Sequence, residues 1–187
     1  MSRSARAGRL RLAAVYATVA ALAALSRPTV AGVAAGAVLV AGGEAIRVWA
    51  SGHLRKNVEL VTAGPYRFTR NPLYLGRLLI WSGVCTMARL PWSLHWAVLA
   101  AGWLVFFAVY LPRKERVEPA RLRAIHGEAY ERYHAAVPAL FPTGRRWPAG
   151  GSGGWSSARL IVNREHWMVL GLAALCLFML WRANSLG

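Results

Sequence analysis

The chain has 187 residues, is 56% hydrophobic and carries a formal net charge of +16. These properties exclude an ordinary soluble domain, because the apolar residues lie in long blocks instead of being scattered. They do not favour a nucleic-acid-binding protein, since basic loops between apolar spans are attracted to anionic lipid headgroups. The composition therefore indicates an integral membrane protein whose polar partners are membrane lipids.

Five apolar blocks predict an all-α protein with about five transmembrane helices, because one span needs about 20 predominantly apolar residues. In chain order the blocks cover residues 10–26, 29–50, 73–88, 90–111 and 166–181. The third block is short, so we expect a tilted helix or a tight hairpin with the fourth block.

The basic residues predict the orientation in the membrane. Of the 23 Lys and Arg, twenty lie before residue 12, within 47–77 or within 113–165. The positive-inside rule places these three regions in the cytoplasm. With five spans, the C-terminus is then expected on the opposite side.

The composition also predicts the domain organisation. Residues 1–147 are expected to form one membrane domain, with its core motifs in 47–142. Residues 148–157 are rich in glycine and resemble a flexible linker. Residues 158–187 would then form an accessory transmembrane helix. Both cysteines lie in apolar blocks, without the spacing of a metal site or a disulfide framework.

The loop 60–76 between the second and third blocks has an unusual composition. It is polar, basic and aromatic, with a Gly-Pro turn, Tyr66, Tyr74, and Arg67 and Arg70 three residues apart. A mere spacer needs none of these features, so the pattern predicts a binding site at the membrane face. Alternatively, the two arginines hold lipid phosphates.

Residues 112–142 change to helical spacing and predict an amphipathic helix that continues out of the fourth span. The pair Val137-Pro138 is expected to end it. Lys114 lies one helical turn before Glu118, so their side chains share a face. Glu118 is either a ligand-binding acid or a solvated charge paired with a neighbouring cation.

Three polar residues receive a structural interpretation. Tyr130 and Tyr133 are predicted to pack the amphipathic helix or to lie in the interfacial belt. Glu44 is an ionisable residue inside the second span, which makes it a functional candidate by position. We expect it instead to pair with Arg47 on the next turn.

Together the two segments resemble the integral-membrane methyltransferases of the isoprenylcysteine carboxyl methyltransferase type and the related phospholipid methyltransferases. Their first signature, Gly-x-Tyr and then Arg-His-Pro-x-Tyr, resembles residues 64–66 and 70–74. Their second, Glu-Glu-x-x-Leu and then Phe-Gly-x-x-Tyr, resembles residues 118–122 and 126–130. The resemblance implies a cytoplasmic cofactor pocket formed by the 51–76 loop and the 112–142 helix.

The chain departs from this pattern at three positions. Asn71 stands where the family has His, Pro119 where it has a second Glu, and His126 where it has Phe. Asn retains hydrogen-bonding capacity but does not titrate near neutral pH, so Asn71 can position a ligand but not transfer a proton. Pro119 leaves Glu118 as the single acid at that site.

The resemblance implies S-adenosylmethionine as the methyl donor. A carboxylate at position 118 can accept charge-assisted hydrogen bonds from its ammonium group. The family's pattern assigns the following residues to the cofactor: Val58, Glu59, Leu60, Val61, Tyr66, Arg70, Asn71, Pro72, Leu73, Tyr74 and Glu118. Lys114 stands where the family has a basic contact to the acceptor's carboxylate, and Arg113 is the second choice.

The predicted function is methyl transfer to a lipophilic or lipidated acceptor, first of all a carboxylate such as that of a prenyl-cysteine. No catalytic residue is assigned, because a carboxylate acceptor needs no base and a thioether leaving group needs no acid. The alternatives are N-methylation of a phosphatidylethanolamine-type amine, a nicotinamide-dependent membrane reductase, and a non-catalytic membrane protein.

Overall fold

The computed structural model describes residues 3–55, 60–148 and 154–186, and every regular element in these ranges is helical. The all-α prediction is therefore confirmed. The α-helices are α1 Arg3–Leu25, α2 Val30–His53, α3 Pro72–Met87, α4 Leu94–Val105, α5 Leu111–Ala136, α6 Ser157–Val162 and α7 Glu165–Leu186. A π-helical turn, Phe106–Tyr110, joins α4 to α5, and short 3₁₀ turns cover Gly64–Arg67 and Pro91–Ser93.

Three of the described helical segments are long and apolar enough to cross a membrane. They are Val30–His53, the continuous segment Pro91–Ala136 and Glu165–Leu186. In α1 the apolar segment found among the described residues is the shorter Ala13–Leu25. The helix α3 has 16 residues, fewer than a span needs. The predicted integral membrane character is confirmed, but the count of five spans is not.

The helices α2 and α3 touch through their backbones. A methyl group added at Gly43 would lie 2.6 Å from the Gly76 carbonyl oxygen, and one at Gly36 would lie 2.5 Å from that of Gly83. In each helix the two glycines are seven residues apart, so they lie on the same face. Small residues at such positions allow helices to approach closely inside a membrane. This contact fixes where α3 begins relative to the end of α2.

A buried group of charges joins α2 to the start of α7. The Arg47 Nε atom lies 3.2 Å from Glu44 Oε2, which confirms the predicted pair. The same guanidinium also pairs with Glu165. Glu165 in turn accepts a hydrogen bond of 3.0 Å from the Ser51 hydroxyl. All four side chains are buried, so removing the Arg47 cation would leave two carboxylates uncompensated in a nonpolar environment.

The far end of α7 is fixed to the end of α1. The Arg182 guanidinium donates to the carbonyl oxygens of Ser26 at 2.8 Å and Ala24 at 2.7 Å. These carbonyls lie at the C-terminal end of α1, where no further turn of helix can pair with them. The last helix therefore packs against the others along its length. The predicted division into a domain, a linker and an accessory helix stays a prediction.

The helix α5 reverses direction within its length. Gly127 has φ +51° and ψ −130°, a conformation that glycine adopts without steric cost. Arg123 pairs with Glu131, eight residues away. In a straight helix these residues would be about 12 Å apart along the axis. The second half of α5 consequently folds back and ends at Ala136, directly before the predicted Val137-Pro138 stop.

The glycine contact between α2 and α3 gives a stability prediction. We expect Gly43→Ala to lower the midpoint of thermal unfolding in lipid nanodiscs, because the added methyl group overlaps the backbone of α3. The loss should amount to about 1–3 kcal/mol. The matched control is Gly42→Ala in the same helix, where an added methyl meets no atom within 4 Å. Equal midpoints for the two variants would contradict the close helix contact.

Candidate functional site

A cavity of about 380 Å³ lies where the end of α2, the 60–74 segment, the start of α3 and α5 meet. The sequence-predicted residues that line it are Leu60, Val61, Tyr66, Arg70, Asn71, Pro72, Leu73, Tyr74, Lys114 and Glu118. The structure therefore brings both motif segments to one cavity. Their roles toward a cofactor or a substrate remain predictions.

One sequence-predicted site residue in the described part of the chain, Arg113, is not among the residues that line the cavity. Its side chain is exposed. Its role as the second choice for substrate contact is therefore not supported by its position. Val58 and Glu59 lie outside the residues that the structure describes.

The floor of the cavity is a hydrogen-bonded group around Glu115. The Arg70 guanidinium lies 2.7 Å from one carboxylate oxygen of Glu115. The Asn71 side-chain amide donates to the other oxygen at 3.0 Å and to the Ala139 carbonyl at 2.8 Å. Asn71 thus links three segments, which is the positioning role open to an amide that does not titrate.

Hydrogen bonds to backbone carbonyls hold the first motif against the chain that follows α5. The Arg70 amide donates to the Pro138 carbonyl at 2.9 Å. Arg67 and Trp147 exchange two bonds of 2.9 Å, one from each residue to the other's carbonyl. Arg67 therefore contacts protein through its side chain, and its alternative interpretation as a lipid-phosphate contact is not needed to explain it.

Buried tyrosines form the inner wall. The Tyr133 hydroxyl donates to the Tyr66 carbonyl at 2.7 Å, and Tyr130 packs beside Tyr133. The predicted packing role of Tyr130 and Tyr133 is confirmed, although both also line the cavity. Burial raises the pKa of the Tyr66 phenol, so it stays protonated and neutral at physiological pH.

Two cations lie over the Tyr74 ring, which lines the cavity. The Lys114 ammonium is 4.4 Å from the ring centroid, and the Arg77 guanidinium is 5.1 Å from it. Lys114 also pairs with Glu118 across one helical turn, at 2.5 Å. The predicted shared face is therefore confirmed, and it places one cation and one carboxylate side by side at the cavity wall.

Sequence reasoning missed part of the lining. Glu115 and the apolar residues Leu122 and Ile125 lie on the same face of α5 as Glu118, so helical spacing from Glu118 could have found them. The remaining missed residues are Leu54, Arg55, Arg77, Pro119, Arg121 and His126. Arg77 and Arg121 lie one helical turn after Tyr74 and Glu118, so helical spacing could have found them too. Leu54 and Arg55 depend on how α2 ends, for which the sequence carries no comparable signal.

The described part of the lining combines apolar and aromatic surface with an excess of positive charge. Its cations come from five residues and its carboxylates from two. Such a wall suits an amphiphilic ligand with anionic groups, because cations in a half-enclosed cavity attract negative charge more strongly than in water. Fold and site together define a helical membrane protein with a small-molecule pocket at one end of its helices.

Comparison with known families agrees with this description. A family model described as phospholipid methyltransferase matches residues 31–124, which is half of the chain. The matched region contains all of α2 except its first residue, the first motif, α3, α4 and the part of α5 that carries Lys114 and Glu118. The chain belongs to this family of membrane methyltransferases, as the resemblance of its motifs predicted.

A curated relative is the cobalt-zinc-cadmium resistance protein CzcN of Cupriavidus metallidurans. It is 38% identical over 98 residues, which is 51% of this chain and 42% of that protein. The match therefore spans less than half of the relative's length. No solved structure matches the chain. In the part of the chain that the structure describes, no three His, Cys, Asp or Glu side chains lie together as a metal site requires.

Proposed function

We propose that this protein transfers a methyl group from S-adenosylmethionine to a lipophilic acceptor, and that the acceptor's reacting group is a carboxylate. The observation that carries the proposal is the meeting of ten sequence-predicted residues at one cavity. The cavity's volume lies within the range of small-molecule sites, about 300–1,000 Å³. A prenyl-cysteine is the model for such an acceptor, because it joins a long apolar chain to a carboxylate.

The lining fits the chemical groups of the proposed cofactor. Tyr66 and Tyr74 offer aromatic faces for an adenine ring or a sulfonium. Glu118 offers a carboxylate for an ammonium group. Leu60 and Val61 provide apolar surface beside them. When bound, S-adenosylmethionine supplies a methyl group that is attached to a sulfonium sulfur. This sulfur becomes a neutral thioether when the methyl group is transferred.

Lys114 and Glu118 are proposed to bind different ligands. Lys114 would attract the acceptor's carboxylate, and Glu118 would hold the cofactor's ammonium. Because the two side chains are one turn apart on α5, the two ligands would be held next to each other. This alignment would accelerate methyl transfer. The apolar wall would also exclude water from the acceptor's carboxylate. Neither effect requires a proton transfer.

Transfer to a lipid amine is the second candidate, and His126 is the observation that favours it. An amine must lose its proton before it attacks, and the sequence showed no base for this step. His126 lines the cavity and has a ring nitrogen that can accept a proton. The cations at the same wall disfavour this candidate, because they repel an ammonium substrate before it is deprotonated.

The two remaining alternatives have less support. The family match favours a methyltransferase over a nicotinamide-dependent reductase. A non-catalytic protein would be indicated by absence of cofactor binding. We also propose that the pocket end faces the cytoplasm, which is where the cofactor would enter. The distribution of basic residues supports that orientation.

The cofactor assignment predicts that Glu118→Gln weakens binding of S-adenosylmethionine at least about tenfold. The variant removes a charged acceptor for the ammonium, and hydrogen bonds to charged groups contribute about 1.5–3 kcal/mol. Isothermal titration calorimetry in nanodiscs measures the effect. The control is Glu128→Gln, on the same helix but exposed and outside the lining. If folded wild-type protein bound no S-adenosylmethionine, the methyltransferase proposal would fail.

The acceptor assignment predicts a different effect for Lys114→Met. With a prenyl-cysteine carboxylate as the test acceptor, its KM should rise about tenfold or more, because the variant lacks the cation that attracts the carboxylate. Affinity for S-adenosylmethionine should change much less. Arg116→Met, exposed on the same helix, is the control. An unchanged KM, or turnover of a lipid amine in place of the carboxylate, would favour the second candidate.

A further inference from the structure

The chain between the glycine-rich region and α7 binds the end of α2. The Ser156 amide donates to the Gly52 carbonyl at 3.0 Å. The Arg159 guanidinium donates to the carbonyls of Gly52 at 3.2 Å and His53 at 3.4 Å. The last carbonyls of a helix have no partner within it, so these donors satisfy groups that would otherwise be unpaired.

Asn163 completes the same set of bonds. Its side-chain amide donates to the Ser51 carbonyl at 3.0 Å and to the Leu54 carbonyl at 3.3 Å. It therefore spans the last turn of α2 and the first residue beyond it. Glu165 reaches the same turn through the Ser51 hydroxyl. We call Trp155, Ser156, Arg159, Asn163 and Glu165 the clasp.

The ring of Trp155 covers the last turn of α2. A methyl group added at Gly52 would lie 2.0 Å from the Trp155 indole nitrogen, so the ring fits only because position 52 has no side chain. The same nitrogen lies 3.4 Å from the Val48 carbonyl. The clasp thus contacts this turn through both polar and aromatic groups.

The end of α2 leads directly into the pocket wall. Ala50 is fully buried, and it packs with Val61 and Tyr66, against which Leu54 and Leu73 also lie. Of these residues, all except Ala50 line the cavity. On the neighbouring side, the His53 ring packs against Gly64, where the first motif begins with φ +58°. A shift of the last turn of α2 would therefore move the wall formed by Leu54, Val61 and Tyr66.

We propose that the clasp is a positioning element of the pocket: it holds the last turn of α2 where the cavity wall forms, although none of its residues touches the cavity. This inference rests on the proposed function, because ligand affinity reports the position of the wall. It gives the C-terminal region a part in the site, where the sequence predicted an accessory helix behind a linker.

The test compares Asn163→Ala with the matched control Asn184→Ala. Asn184 lies in the same C-terminal region, but its side-chain amide donates to the Leu180 carbonyl of its own helix, at 3.1 Å. Two quantities are measured in nanodiscs: hydrogen exchange of a peptide covering residues 50–55 without ligand, and the Kd for S-adenosylmethionine. For Asn163→Ala we expect faster exchange and a Kd raised about fivefold or more, with a melting midpoint close to that of the wild type.

A second pair of variants covers the case in which Asn163→Ala does not fold. Arg159→Ala should behave as Asn163→Ala does, and Arg159→Lys should recover part of the affinity, since an ammonium can still donate to the Gly52 carbonyl. Faster exchange with an unchanged Kd would overturn the proposal, because the clasp would then only stabilise α2. Equal effects of Asn163→Ala and Asn184→Ala would overturn it too. Absence of binding by the wild type would instead remove the proposed function itself, and this inference with it.

Discussion

The contact of α2 with α3 is the constraint on which the rest of the structure depends. In a membrane there is no hydrophobic drive between helices, so close association requires surfaces that fit. The glycines at positions 36, 43, 76 and 83 provide such a surface, because each lacks the side chain that would separate the backbones. With α3 held against α2, the loop between them must begin and end at the same end of the helices.

That loop and the helix α5 become one site through a small number of polar bonds. Glu115 receives Arg70 and Asn71, and the chain beyond α5 accepts further bonds from the first motif. Burying polar groups costs free energy, which these hydrogen bonds offset. The bonds that Glu115 and Asn71 make therefore fix the geometry at the floor, while the Lys114–Glu118 pair is more exposed and can exchange partners with ligands.

Apolar blocks and motifs could be predicted from the sequence because hydrophobicity and helical periodicity are local properties. The pair Glu44–Arg47 and the shared face of Lys114 and Glu118 follow from helix geometry in the same way. The reversal at Gly127 could not be predicted from the sequence, because glycine is compatible with both a helix and a bend. Only tertiary contacts select between the two. The contact of Glu115 with Asn71 joins two separate segments, so local sequence patterns did not show it either. The count of five spans is not confirmed, because the apolar segment described in α1 and the helix α3 are shorter than a span needs.

The central claim is that residues 64–74 and 114–133 form a single S-adenosylmethionine site. The most direct test is photolabelling of the protein in nanodiscs with an azido-adenosine analogue of the cofactor, followed by peptide mapping. The account predicts labelled peptides from both segments, with labelling lost when unmodified S-adenosylmethionine competes. Labelling confined to other parts of the chain, or labelling that the unmodified cofactor does not reduce, would contradict it.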